Sequence, residues 1–209
     1  MLLFGHIGIT VGIVRVCDIL TSVTNPDNIH QSDSSLKFSI VLNRERWRLY
    51  HLLNRIKKRI GLVDYRMVLL GSLLPDIIDK PAWLFTSSDA SLSGRDYTHT
   101  LLFNLALFIG GMVLIRCKKS WLLILSLSSF AHLILDQMWN NPATLLWPLL
   151  VPLPKRETAG WLSNIMEALF SEPEVYVPEI IGLMLILLFA YRVVKRRSVV
   201  SFIRDGAIA

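Results

Sequence analysis

The chain has 209 residues, 53% of them apolar without counting glycine and only 18% charged, against roughly 45–50% and about 25% in ordinary soluble domains. This balance excludes a disordered segment and a coiled coil and points to a membrane protein, with room for one domain of about five to seven spanning helices at ~20 residues each. The net charge of +6 would suggest nucleic acid if the basic residues formed one patch, but their distribution along the chain argues otherwise, and no nucleic-acid partner is expected.

The first apolar run, Met1 to Val14, lacks the basic start and small-residue cleavage site of a signal peptide and reads as retained structure. Gly5, Gly8 and Gly12 at near-helical spacing predict close helix packing there. Thr21 to Ser39, rich in Asn, Asp and Ser, reads as a loop. Arg44 to Ile60 places Leu49, Leu52, Leu53, Ile56 and Ile60 between its charges, the pattern of a basic amphipathic helix, either on the inner leaflet or simply solvated. Further apolar runs follow at Met67–Pro75, Tyr97–Ile115, Trp121–Leu135 and Ile180–Tyr191. Only Tyr97–Ile115 reaches spanning length unaided; the others do so when a few ionisable residues are admitted. Residues 140–178 carry six of the nine prolines and read as an outer loop with a short helix at Ala159–Phe170.

A five-span membrane bundle competes at this point with an apolar soluble helical domain, and the basic residues separate the two. With the N-terminus outside, only Lys80, Arg95, Lys155 and Arg156 of the 22 Lys and Arg remain on the outer side, as the positive-inside rule requires. Trp83, Trp139, Trp147 and Trp161 then fall at the outer ends and Trp47 and Trp121 at the inner, as interfacial belts do, and Cys17 and Cys117 lie inside. The expected architecture is an all-α polytopic membrane bundle of about five spans, one domain over residues 1–209, with a cytoplasmic C-terminus.

That topology, drawn from Lys and Arg alone, brings His6, Asp76, Asp79, His99, His132 and Asp136 to one outer level from four spans. His132 and Asp136 are i and i+4, and Asp76 and Asp79 are i and i+3, so each pair shares a helix face. Converging imidazoles and carboxylates suit a Zn, Mn or Fe site, because the ion offsets the burial of the carboxylates. Each residue also has a structural alternative: His6 and His99 as interfacial hydrogen-bonders, Asp76 and Asp79 as helix-ending residues after Pro75. Asn104, a turn below His99, reads as an interhelical hydrogen-bond group.

The series His6, Gly71-Ser72-Leu73-Leu74-Pro75-Asp76-Ile77-Ile78-Asp79, Tyr97-Thr98-His99-Thr100, His132-Leu133-Ile134-Leu135-Asp136 and Leu146-Trp147-Pro148 resembles the YdjM-type family of membrane-bound metal-dependent hydrolases, some of them LexA-regulated. The likeness covers about Met1 to Pro154. The ligand order is also similar to that of the zinc-dependent phospholipase C and P1 nuclease superfamily, which implies phosphate-ester hydrolysis. Carried over, Asp76 or Asp79, His99, His132 and Asp136 hold one ion, and His6 with a shared Asp136 helps to hold a second. The superfamily's third zinc uses later histidines, and none follows His132 here, so one or two divalent ions, zinc first, are expected.

The resemblance implies metal-assisted hydrolysis at the extracytoplasmic side of the inner membrane, on a lipid or lipid-linked phosphate ester. Whichever of Asp76 and Asp79 is not a ligand is the candidate base, and Arg95 is a candidate partner for the substrate phosphate, with a plain surface role as its alternative. The competing function is a non-catalytic metal-binding transporter or envelope-stress sensor. A transporter needs ligands near the midplane, and an intramembrane zinc protease needs an HExxH signature that is absent.

Overall fold

Helix α1 (Leu3–Val23) sets its glycines against a second glycine-bearing helix, the long apolar α7 (Pro173–Lys195). A Cβ on Gly8 would run into the Gly182 carbonyl, and one on Gly182 into the carbonyl of Phe4. Gly12 faces Leu185, so the two helices run parallel at near-backbone contact, the packing expected of Gly8 and Gly12. The structure, a computed structural model, describes residues 2–23, 63–86, 94–150 and 161–208. The amphipathic segment at 44–60 lies outside the described residues.

Between these two helices the chain forms α2 (Tyr65–Thr86), α3 (Leu101–Arg116), α4 (Trp121–Leu135), a 3-10 turn (Met138–Asn140), α5 (Pro142–Leu145) and α6 (Trp161–Ser171). A last short helix, α8 (Val199–Asp205), ends at Gly206 with φ +69°. No strand occurs among the described residues. Helix α4 packs against α1, α2 and α3. Small residues again allow the approach: a Cβ on Gly71 would meet the Leu125 carbonyl, and one on Gly111 the backbone of Leu123.

Several boundaries differ from expectation for local reasons. Tyr97–Thr100 are not helical, because Thr100 caps α3: its Oγ1 accepts from Phe103 N at 3.2 Å. That leaves α3 at 16 residues. Thr21–Val23 continue α1 rather than opening a loop. Helix α7 starts at Pro173, a residue type suited to a first helical turn, so the outer segment ends earlier than 178. Among the described residues α7 alone is long and apolar enough to cross a bilayer by length and composition, with α3 and α4 as shorter apolar helices.

The apolar core, Val11, Tyr65, Val68 and Ile124 with Phe189 and Phe202 against it, sits toward one end. There Arg66 bonds Asp64 and the Ile203 and Arg204 carbonyls, and Tyr65 N donates to the Gly206 carbonyl, fastening α8 to the start of α2. Much of the remaining interior is polar: His6, Ser72, His99, Asn104, Ser126, Ser129 and His132 are fully buried, while Ile109 on α3 and Leu187 on α7 are 62% and 60% exposed. Water would penalise such an arrangement, and a hydrocarbon surround favours it.

Candidate metal centre

The N-terminal ends of α1 and α3 and the C-terminal parts of α2 and α4 meet at the end opposite the apolar core. Helix α1 is anchored there by Glu179 of α7, whose carboxylate accepts from the backbone N–H of Leu2 (2.6 Å), Phe4 (2.8 Å) and Gly5 (3.2 Å). A carboxylate suits the orphan donors and positive dipole end of a helix N-terminus. The next residue, His6, is thereby fixed in depth.

Helix α2 supplies Ser72, Asp76 and Asp79 around Pro75, which removes one backbone donor from that turn. The Pro75 carbonyl accepts from Thr98 Oγ1 at 3.0 Å. The Ser72 carbonyl accepts from His132 Nδ1 at 2.7 Å. Asp79 accepts from His99 Nδ1 at 2.8 Å, from Asp96 N at 2.9 Å and from Thr98 N at 3.2 Å. Below this turn Asn104 donates to the Thr98 and Thr100 carbonyls and accepts from Ser129 Oγ at 2.6 Å, the interhelical role expected of it.

These bonds fix two tautomers. A carbonyl and an ionised carboxylate only accept, so both Nδ1 atoms carry the hydrogen, and in the neutral rings both Nε2 atoms carry bare lone pairs. The two Nε2 atoms face each other at 3.3 Å. Asp76 Oδ1 lies 3.7 Å from His99 Nε2 and 4.0 Å from His132 Nε2. Asp136 Oδ2 lies 4.0 and 3.9 Å from the same two atoms. Four acceptor atoms thus converge with no hydrogen between the imidazoles. Around a tetrahedral ion with bonds of ~2.0–2.1 Å, ligand atoms stand about 3.3 Å apart, close to this spacing.

His6 stacks on His132 with ring centroids 3.9 Å apart. Its Nε2 is 3.1 Å from Asp136 Oδ1, while its buried Nδ1 has no hydrogen-bond partner among the described residues, nor has Thr10 Oγ1 one turn on. A buried imidazole nitrogen without a hydrogen-bond partner beside converging carboxylates fits a bound cation. The donor atoms of His6, Asp76 and His132, and those of His99, His132 and Asp136, form two groups that could each hold an ion.

The structure therefore brings together His6, Asp76, His99, His132 and Asp136 of the residues singled out in the sequence, and of the two alternatives Asp76 and Asp79 it is Asp76 that turns an oxygen to the imidazoles. Sharing a face with Asp76 does not put Asp79 among the converging atoms: it stands behind His99, both oxygens taken by donors. Arg95, open in the sequence to a phosphate partner or a plain surface role, bonds Asp136 Oδ2 through Nη2 at 2.9 Å. Lys80, which the sequence reading passed over, bonds Asp76 Oδ2 at 2.7 Å; its i,i+4 spacing from Asp76 was the available signal. Glu179 and the Ser72 carbonyl were also missed, and the carbonyl leaves no mark in a sequence.

A family model described as YdjM inner membrane protein matches residues 47–199, a stretch that contains every residue of the centre except His6. No curated protein and no solved structure matches the chain.

Proposed function

The chain belongs to the YdjM inner membrane protein family, and from that premise we propose that it is a five-span membrane hydrolase, one domain over residues 1–209. In this reading it uses one or two divalent ions, zinc first, to cleave a phosphate ester of a lipid or lipid-linked substrate at the outer face of the inner membrane. The observation that carries the reading is the pair of bare imidazole Nε2 atoms 3.3 Å apart between two carboxylates, an arrangement that a cation between the rings stabilises.

His99, His132, Asp76 and Asp136 would hold the ion, with His6 at its edge. A divalent ion there supplies Lewis acidity, activating water and offsetting charge on the phosphoryl oxygen. Asp79 orients the His99 ring, and its commitment to three donors takes it out of the role of base. Asp76 turns one oxygen to the imidazoles and the other to the half-exposed Lys80, which makes it the ligand of the two. At the other end Asp18, Asp64 and Asp205 are each paired with Arg15, Arg66 or Arg204. The one-sided placement of the open acceptors supports an enzyme over a transporter.

Elemental mass spectrometry of the detergent-purified chain tests the centre. Wild type is expected to carry about one or two Zn, Mn or Fe, and His132→Ala and Asp136→Ala variants of unchanged helical content are expected to lose them. Metal-free wild type after loading would overturn the reading. Bound metal with no phosphate release from any lipid phosphoester would leave the sensor or transporter.

A further inference from the structure

Lys80 and Arg95 stand at the outer edge of the centre, 39% and 32% exposed, over carboxylates that are 9% and 1% exposed. They come from different elements, Lys80 from α2 and Arg95 from the turn before α3. The placement of Arg95 is tied to the centre. Its neighbour Asp96 donates its N–H to Asp79, the same carboxylate that orients His99, and Gly94 on the other side has φ +73° and donates to Asp96 Oδ2 at 3.1 Å. One buried aspartate thus positions an imidazole inside and a guanidinium at the edge.

The oxygen that Arg95 holds, Asp136 Oδ2, is the one that faces both imidazole Nε2 atoms. A cation bound there and the Arg95 guanidinium compete for one atom. Lys80 stands in a related place, on the second oxygen of a carboxylate whose first oxygen faces the imidazoles. Neutralising Asp136 and Asp76 with a divalent ion weakens their hold on both side chains. It leaves two cationic groups, a five-donor planar fork and a three-donor ammonium, with unmet hydrogen-bonding capacity at a half-exposed edge. A phosphate with two non-bridging oxygens satisfies such a pair, and Arg forks bind it in bidentate fashion. Ile77, Ile78, Tyr97 and Trp139, exposed at the same end, set the edge among apolar side chains, at the level of a lipid headgroup.

We propose that Lys80 and Arg95 form a phosphate-gripping pair released from Asp76 and Asp136 when the centre binds its cation, so that cation and phosphate each strengthen the binding of the other. The proposal rests on the cation reading above and adds to it a second ligand and a linkage, which must be reciprocal.

Mn²⁺ binding to the full chain in dodecyl maltoside, read from free Mn²⁺ by electron paramagnetic resonance, tests this without an activity assay. Titrations are run alone, with inorganic phosphate, and with phosphatidylglycerol, with phosphate-free monoolein as the control. Wild type is expected to bind Mn²⁺ at least about fivefold more tightly with one of the phosphate probes. Enhancement by inorganic phosphate assigns a free anion, and enhancement by phosphatidylglycerol alone assigns a lipid headgroup. Arg95→Ala is expected to bind Mn²⁺ more tightly than wild type when no anion is present, and to lose the enhancement. Arg95→Lys, which keeps the charge and loses the fork, is expected to retain part of it, and Lys80→Ala to reduce it. Mn²⁺ binding in wild type that neither phosphate probe changes overturns the proposal and leaves the cation reading standing. Enhancement that persists undiminished in Arg95→Ala also overturns it, and a wild type that binds neither Mn²⁺ nor, by elemental mass spectrometry, Zn²⁺ overturns both.

Discussion

Asp79 shows how one carboxylate can govern a centre without belonging to its converging atoms. By accepting the His99 Nδ1 hydrogen it leaves the His99 Nε2 lone pair facing His132, and by accepting from Asp96 and Thr98 it shapes the turn that carries His99. Asp79→Asn keeps the size but offers a single acceptor oxygen and an NH2 group that cannot accept from Nδ1. Metal affinity is expected to fall about 10- to 100-fold with helical content unchanged, the usual effect of removing such an outer partner; a zinc titration of the two proteins checks it. Undiminished affinity would mean that the His99 ring is held by something other than Asp79. At this scale the sequence was informative where spacing determines direction, as in His132 and Asp136. It was uninformative for Asp76 and Asp79, because i and i+3 place two side chains on one face without saying which reaches over the neighbouring helix and which bonds the following turn. Glu179 carries no local signal of its role, because its partners are backbone N–H groups 174 to 177 residues away.

Between helices, glycine contacts set the distances on which the centre depends. Gly182 sits against the Phe4 carbonyl and the Gly5 Cα, one turn of α7 beyond Glu179, and His6 follows Gly5 directly. Any side chain at 182 must push α1 away from α7. Gly182→Ala is therefore expected to destabilise by roughly 1–3 kcal/mol, the usual range for overpacking against unyielding neighbours, and to weaken metal binding by displacing His6. Gly110→Ala is the control: its Cβ would meet only the Leu122 Cδ2 methyl, at 3.2 Å, and it removes a helix-interior glycine worth roughly 0.5–1 kcal/mol in propensity. Thermal unfolding in detergent should separate the two, with the first lowered and the second within error of wild type or raised; equal effects would show that α1 and α7 adjust freely. The five long helices among the described residues were legible as runs poor in charge, and the glycine stripe of α1 foretold its packing. Their ends were less so, since the run free of Asp, Glu, Lys and Arg continues through Tyr97–Thr100 while the Thr100 hydroxyl, a recognisable cap before an apolar run, begins α3 at Leu101.

Across the molecule, polarity is inverted relative to a soluble bundle, and the inversion has a direction. The buried polar groups converge at the end where α1 begins and α4 ends. Arg66, Arg116, Lys195, Arg196, Arg197 and Arg204 gather at the other, where α2 starts and α3 and α7 finish. If the helices cross the membrane as proposed, the positive-inside rule puts that second end in the cytoplasm, which makes an outward centre a consequence of charge and not a separate assumption. Cys17 in α1 and Cys117 after α3 are both exposed and both at the basic end, whereas Asn140 is exposed beside the centre. In spheroplasts a membrane-impermeant maleimide is expected to leave wild type unlabelled and to label an Asn140→Cys variant, with Cys17 and Cys117 reacting only after permeabilisation. Labelling of the native cysteines in intact spheroplasts would invert the topology and turn the centre to the cytoplasm. A substrate reached from the outer leaflet would then be excluded even if the metal chemistry were intact. Labelling of all three without permeabilisation would mean that no barrier separates the two ends, and that the exposed Ile109, Leu187 and their neighbours face something other than lipid.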